Sequence, residues 1–372
     1  MSHAARTRRP SAGPAVPVGP GTVPAGTVAK GGGLLLLLLA AIAFPLVYTN
    51  PSVTLYGVFA LIYVTSATGW NIFSGNTGYI SLGQAVFYGS GAYALAIAAR
   101  DWNVQGTTAF ALLPLSGVAG ALIAVPFGLV ALRVRRHTFI VITIAIFFIF
   151  QLMAFNLWFT GGSSGLDAPF LNWPAATFNN PFYYIALAFT VGSITIAWLI
   201  RRSRFGLQLR AIRDDEDRAR GLGVKAMRVK LTAFVISGAI TGLIGGVWCY
   251  FIGEAEPQTA FNPLFDLTLV LMAFLGGYGS ISGPVLGALI IEPLSLWLST
   301  QPAFSGSVSE IMLGGIFLIV VLFLPRGIVP TGGELITRFR TRGRPAVGPA
   351  AAEGGTAAAT SATPPVSSGG AR

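Results

Sequence analysis

Three groups of residues in this chain have types and spacing suited to chemistry. Ser164 lies in Gly162-Ser163-Ser164-Gly165, the Gly-x-Ser-Gly setting of a serine nucleophile in an intramembrane protease. Such a serine needs a base within hydrogen-bond reach. The only histidines are His3, in a low-complexity tail, and His137, expected at the opposite membrane face, so the serine motif is read as an outer turn. Glu292 is a carboxylate inside an apolar segment, a costly position that suits a proton or substrate site. Pro293 beside it makes a helix kink or a cavity-lining carboxylate an equally good reading, and Asp266 is assigned to the interfacial, outer end of its span. The third group is SRFGLQLRAIRDDEDRARGLGVKAMRVK, residues 203–230, a dense run of charge in a chain otherwise rich in Leu, Ala, Ile, Phe and Gly. Cys249 is the single cysteine, so no internal disulfide forms, and no Cys/His cluster suggests a metal. No G-x-x-x-x-G-K-[ST] phosphate cradle exists, so ATP binding by this chain is not expected.

The elements that must carry these residues follow from composition. Of 372 residues, 53% are hydrophobic and 10% charged, against about 25% charged in an average soluble domain. Runs such as TFIVITIAIFFIFQLMAFNLWF reach the roughly 20 apolar residues that span a bilayer. The fold class read from this is all-α, a polytopic transmembrane bundle. Ten apolar segments are predicted at about 34–49, 52–73, 79–99, 108–131, 139–159, 181–200, 231–252, 265–281, 284–300 and 311–324. Residues 1–30 and 331–372 are Pro-, Gly- and Ala-rich and are expected to be disordered cytoplasmic tails around a permease domain at 31–330. With the N-terminus inside, 23 of the 24 Lys and Arg residues fall on the cytoplasmic side and only Arg100 lies outside, as the positive-inside rule requires. The net charge of +11 is then a matter of topology and anionic lipid, and no nucleic-acid partner is expected.

The orientation makes 201–230 the largest cytoplasmic loop. Phe205, Leu209 and Ile212 share a helical face, Asp214 with Arg218 and Glu216 with Arg220 are acid-before-base pairs four apart, and Gly221 and Gly223 break the helix. Spacing alone leaves two readings open, a solvated loop and a docking helix. The Gly-rich stretch SGNTGYISLGQAVFYGSGAY and the later LGGYGSISGP also allow two readings, close helix packing and discontinuous elements beside a transport path. Gly78-Tyr79-Ile80-Ser81 and Gly277-Tyr278-Gly279-Ser280 are loosely self-similar.

The loop with its following span, SRFGLQLRAIRDDEDRARGLGVKAMRVKLTAFVISGAITGLIGG, resembles the permease subunits of branched-chain amino-acid ABC importers. Further likeness lies in SGNTGYISLGQAVFYGSGAYALA, TGGSSGL, LMAFLGGYGSISGPVLGA and VVLFLPRGIVP, in family order over about residues 50–330. Departures are Gln84, where many members have His, and Arg220-Gly221 in place of Glu-Ala. The resemblance implies an importer of branched-chain or other hydrophobic amino acids in a bacterial inner membrane. It also implies two separate ATP-binding subunits that hold ATP and Mg, a second homologous permease subunit and an extracytoplasmic binding protein, with no cofactor on this chain. Leu209, Arg210, Ile212, Arg213, Asp214, Glu216, Leu222 and Gly223 are then the ATPase-coupling candidates, with Leu209, Ile212 and Leu222 as apolar anchors. Gly78, Ser81, Gly83, Gln84, Gly277, Ser280 and Glu292 are the translocation-path candidates. Relatives that carry urea or short amides, and an ion-coupled secondary transporter, are the alternatives.

Overall fold

The computed structural model of the chain describes residues 25–48, 50–169, 171–174 and 177–301, with isolated residues between 308 and 329. The described residues fold as helices: α1 (Ala25–Val47), α2 (Pro51–Trp70), α3 (Gln84–Asp101), α4 (Leu113–Ala131), α5 (Arg136–Asn156), α6 (Asn179–Arg202), α7 (Arg204–Asp214), α8 (Glu216–Gly221), α9 (Ala226–Ile252), α10 (Pro257–Ala260), α11 (Pro263–Gly276) and α12 (Ser282–Thr300). A two-residue antiparallel ladder, β1 (Leu166–Asp167) with β2 (Glu254–Ala255), ties the α5–α6 connection to the end of α9. Local chemistry sets several helix starts. Asn50 accepts from the Ser52 amide ahead of Pro51, and Asn262 accepts from the Leu264 amide ahead of Pro263, each a capped first turn with its proline where no amide is needed.

Seven helical stretches among the described residues are long and apolar enough to cross a membrane: Pro51–Gly75, Gly106–Ala131, Arg136–Asn156, Asn179–Arg202, Ala226–Ile252, Pro257–Gly276 and Ser282–Thr300. The predicted segment 34–49 gives a shorter apolar stretch, Leu36–Val47, while half of 311–324 and all of the tails at 1–24 and 331–372 fall outside the described residues. The segment 79–99 becomes the helix Gln84–Asp101, whose Gly-, Ala-, Ser- and Tyr-rich sequence is almost wholly buried among other helices rather than turned to lipid.

Burial runs opposite to apolarity here. In α9, 67% of the central stretch is buried, against 22% in the more apolar α5, whose Val141, Ile149 and Leu152 face outward. Lipid tails solvate leucine and valine as well as a core does, so close contact between helices comes from small residues. Along α9, Gly238, Gly242 and Gly246 recur every fourth residue against α4 and α3. A Cβ on Gly91 would collide with the Gly242 carbonyl, and one on Gly120 with the Gly238 carbonyl. Some interior hydroxyls are satisfied locally, as where Thr65 and Ser66 donate to the Leu61 and Ile62 carbonyls, both at 2.9 Å.

Candidate coupling and translocation site

Two helices stop short and their loose ends meet. After Trp70 the second helix widens into a π turn, Asn71–Gly75, keeps helical form through Thr77 and then loses it until Gln84. Residues 277–281 between α11 and α12 are likewise non-helical. Irregular backbone in a membrane protein persists only where the protein itself supplies its hydrogen bonds, and here each break supplies the other. Asn71 Nδ2 donates to the Ser280 carbonyl at 2.8 Å, the Gly279 amide donates to Asn71 Oδ1 at 3.1 Å, and the Tyr278 hydroxyl donates to the Ser74 carbonyl at 2.6 Å. The Trp70 indole donates to the Ser81 carbonyl at 2.8 Å and pins the far end of the first break.

The charged loop is bolted to this junction. Arg213 Nη1 donates to the Gly75 carbonyl at 2.8 Å while its guanidinium lies 4.7 Å from the Tyr278 ring centroid, so one side chain holds both breaks. Gly78 and Gly279 have φ of +75° and +77°, and a Cβ on either would press on the Arg213 side chain, which accounts for glycine at both. Arg136, at the start of α5, donates to the Ile212 and Arg213 carbonyls at the open end of α7. Glu216 accepts from Lys230 Nζ at 2.8 Å, from the Tyr79 hydroxyl and from Arg220. Lys230 is 1% exposed. Burial by itself would raise the Glu216 carboxyl, but the hydrogen bonds from Lys230 and Tyr79 and the charges of Lys230 and Arg220 outweigh it and hold the group below the ordinary range. Burial, and then the bond to Glu216, push the Tyr79 phenol well up, so it stays protonated and donates.

Several expectations change. Leu209 and Ile212 are fully buried inside this chain, whereas Leu222 is 86% exposed, so the three do not form one partner-facing apolar face. The reason is that α7 lays its apolar side against the chain's own helices, and Leu222 follows a second helix with a different direction. The helix break falls at Asp215, which is extended (φ −154°) and caps α8 by accepting from the Arg218 amide; Arg218 pairs with Asp215 rather than Asp214, while the Glu216–Arg220 pair forms. Arg210 turns back to the Arg201 and Gly206 carbonyls, Asp214 is exposed, and Gly223 takes φ +87°.

The path candidates separate. Gly277 and Ser280 belong to the junction, with Ser280 Oγ accepting from the Gly283 amide at 2.9 Å. Gly83 is a tight contact, where a Cβ would come within 2.7 Å of the Phe127 ring. Gln84 joins α3 to α9 by donating to Ser237 Oγ at 2.9 Å and accepting from Thr241 at 3.1 Å. The Ser81 hydroxyl is buried without a hydrogen-bond partner among the described residues. Asp266 lies in the first turn of α11 but is turned inward: it is 3% exposed and accepts from the Gln84 and Ala85 amides at 2.7 and 3.1 Å, capping α3. Glu292 lines a cavity of about 360 Å³ bounded by α2, α3, α9, α11 and α12. His137 is the second residue of the 21-residue α5 and Ser164 lies beyond its other end, so no serine–histidine pair forms. Sequence reasoning missed Asn71, Tyr79, Arg136 and Lys230. Lys230 carried a signal, being the last cation before a long apolar run, but nothing local marks Asn71.

The family described as "Branched-chain amino acid transport system / permease component" matches residues 53–321. Similar relatives include the high-affinity branched-chain amino acid transport system permease protein LivM of Salmonella typhimurium, 28% identical over 328 residues, covering 80% of this chain and 74% of the relative. LivH of the same organism is 30% identical over 176 residues, 46% of this chain and 52% of its own. The L-arabinose ABC transporter permease protein AraH of Azospirillum brasilense is 29% identical over 139 residues, 36% of this chain and 40% of the relative. No solved structure matches the chain. A family match that takes in both helix breaks, the loop bolted between them and the Glu292 helix makes this chain a member of the branched-chain amino acid transport system permease family.

Proposed function

We propose that this chain is a membrane-spanning subunit of an ABC importer that moves branched-chain or other hydrophobic amino acids inward across a bacterial inner membrane. Separate ATP-hydrolysing subunits drive it, a second, homologous permease chain completes the pathway, and an extracytoplasmic binding protein delivers the substrate. In this reading the chain crosses the membrane ten times with both termini inside. The family match carries the assignment, and the names of LivM and LivH support the substrate class and the pairing of two permeases. The coupling route is supported by Arg213, through which any displacement of α7 pulls on the backbone of Gly75 and on Tyr278 together. With Leu209 and Ile212 committed inside, the ATPase would meet the outward groups of the loop, Leu207, Asp214, Arg218 and Leu222.

Arg213→Ala tests the coupling. Charge-assisted hydrogen bonds contribute about 1.5–3 kcal/mol, so the variant should assemble yet hydrolyse ATP without accumulating leucine in proteoliposomes. Coupled uptake at the wild-type rate would remove Arg213 from the route. For topology, impermeant thiol reagents should label Ser163→Cys from outside and spare Asp217→Cys; both positions are exposed, whereas native Cys249 is buried and silent. The reverse labelling pattern overturns the orientation.

A further inference from the structure

Glu292 is 5% exposed, lines the 360 Å³ cavity, and makes no hydrogen bond or ion pair with any described residue. A buried carboxylate without a partner is costly. The one other acidic side chain buried among the described residues, Asp266, accepts two backbone amides at the start of α3 through Oδ1, while its Oδ2 has no partner there. The walls opposite Glu292 are aromatic: Phe59 and Tyr63 of α2, Tyr88 of α3, Trp248 of α9 and Phe265 of α11. Aromatic faces attract cations, and no Lys or Arg among the described residues lines this cavity. A volume of this size falls in the roughly 300–1,000 Å³ range of small-molecule sites.

From this geometry we infer that the Glu292 cavity is a substrate site that takes the α-ammonium group of a neutral, apolar amino acid against the Glu292 carboxylate. The inference rests on the proposed transport function and adds where and how substrate is held. The guest's apolar side chain lies among the rings. Its carboxylate is directed away from Glu292, toward Ser295, one turn along the same face of α12, and Thr268 of α11. Neither hydroxyl makes a hydrogen bond with the described residues, so both are available to donate. An acidic guest would place a second negative charge beside Glu292 with no cation to offset it, so the site selects against Asp, Glu and phosphorylated compounds. No covalent step is involved; the ammonium enters and leaves charged.

The test uses the complete importer, this chain with its permease partner, ATPase subunits and binding protein, in proteoliposomes with radiolabelled L-leucine. Glu292→Gln keeps the shape and removes the charge. It should retain ATP hydrolysis stimulated by the binding protein while leucine accumulation falls at least about tenfold, the size expected when one partner of a buried charge pair is lost. Accumulation within about twofold of wild type overturns the inference at that same scale. Wild-type importer that fails to accumulate leucine would instead refute the proposed substrate class, so the two failures are distinct. Should the variant not assemble, the wild-type complex decides: carbodiimide labelling of Glu292, read by peptide mass, should be slowed by L-leucine and unaffected by 4-methylpentanoate, which lacks the ammonium. Equal protection by both, none by either, or no labelling of Glu292 overturns it, because a carboxylate open to leucine is open to a reagent of similar size.

Discussion

At the junction, Glu216 shares its carboxylate with Lys230, Arg220 and Tyr79; in the cavity, Glu292 shares its carboxylate with no described residue. Both are acidic side chains in a chain with few charges, yet their surroundings differ in kind. The junction is closed electrostatically: cation, anion and phenol satisfy one another, and Arg213 and Arg136 spend their donors on carbonyls that the helix breaks and the end of α7 leave open. That is how a mechanical joint should look, since a joint transmits displacement only if its parts hold each other. The cavity is incomplete in charge while complete in shape, which is the condition of a site awaiting a guest. A polar group's pairing therefore says more about its role than its burial does.

The comparison breaks most visibly under Glu216→Gln. That change leaves Lys230 buried without its anion, and breaking one partner of a buried pair costs about 3–5 kcal/mol, a large part of the roughly 5–15 kcal/mol by which proteins are stable. The thermal midpoint of the detergent-purified complex should fall sharply, and Glu216→Gln with Lys230→Met should recover much of the loss. An unchanged midpoint in the single variant would mean that the pair does not hold the joint.

Next in size is Ile212→Ala, which opens space in a fully buried contact at a cost of about 2–5 kcal/mol. Leu222→Ala, on an exposed residue, should leave stability within about 0.5 kcal/mol and instead reduce co-purification of the ATPase. Equal loss of melting temperature in both variants would contradict the split between inner and outer faces of the loop.

A pH series sharpens the contrast at smaller scale. The Glu216 carboxyl is depressed in the folded protein, so its contribution is fully present above the ordinary glutamate value of about 4.3 and is lost as pH falls through its lower folded value. The stability advantage of wild type over Glu216→Gln should hold at neutral pH and shrink in the acid range. An advantage that grows on acidification would reverse the assignment.

The smallest expected effect is the stability of Glu292→Gln. Replacing a buried, partnerless carboxyl with an amide should leave the stability unchanged or slightly higher, by about 1 kcal/mol at most, since the amide carries no charge to bury. A loss comparable to that of Glu216→Gln would show that Glu292 has a structural partner and belongs with the joint.

Much of this protein was legible in its residues. Apolar length and the scarcity of charge dictate a helical membrane bundle, because a bilayer forces every backbone group in a span to bond within its helix. The Gly-Tyr stretches coincide with both helix breaks, one of the two readings their residues leave open, and the charge run identifies the loop between α6 and α9. Local caps are equally readable, as at Asn50-Pro51 and Asn262-Pro263, where residue chemistry and neighbour decide the outcome.

Tertiary structure alone decided which face of that loop is inside. Leu209, Ile212 and Leu222 read alike in sequence, and only the packing of α7 on the bundle buries two and exposes the third. Asp266 and Glu292 are both carboxylates in apolar helices, and their difference arises from residues far away in the chain: the start of α3 supplies amides 182 and 181 positions from Asp266, and nothing comparable reaches Glu292. The union of the two breaks through Asn71 spans more than 200 residues. Periodicity and composition report what a residue is next to along one helix; charge pairing and cavity shape depend on which helices meet, and that is set by the fit of whole surfaces.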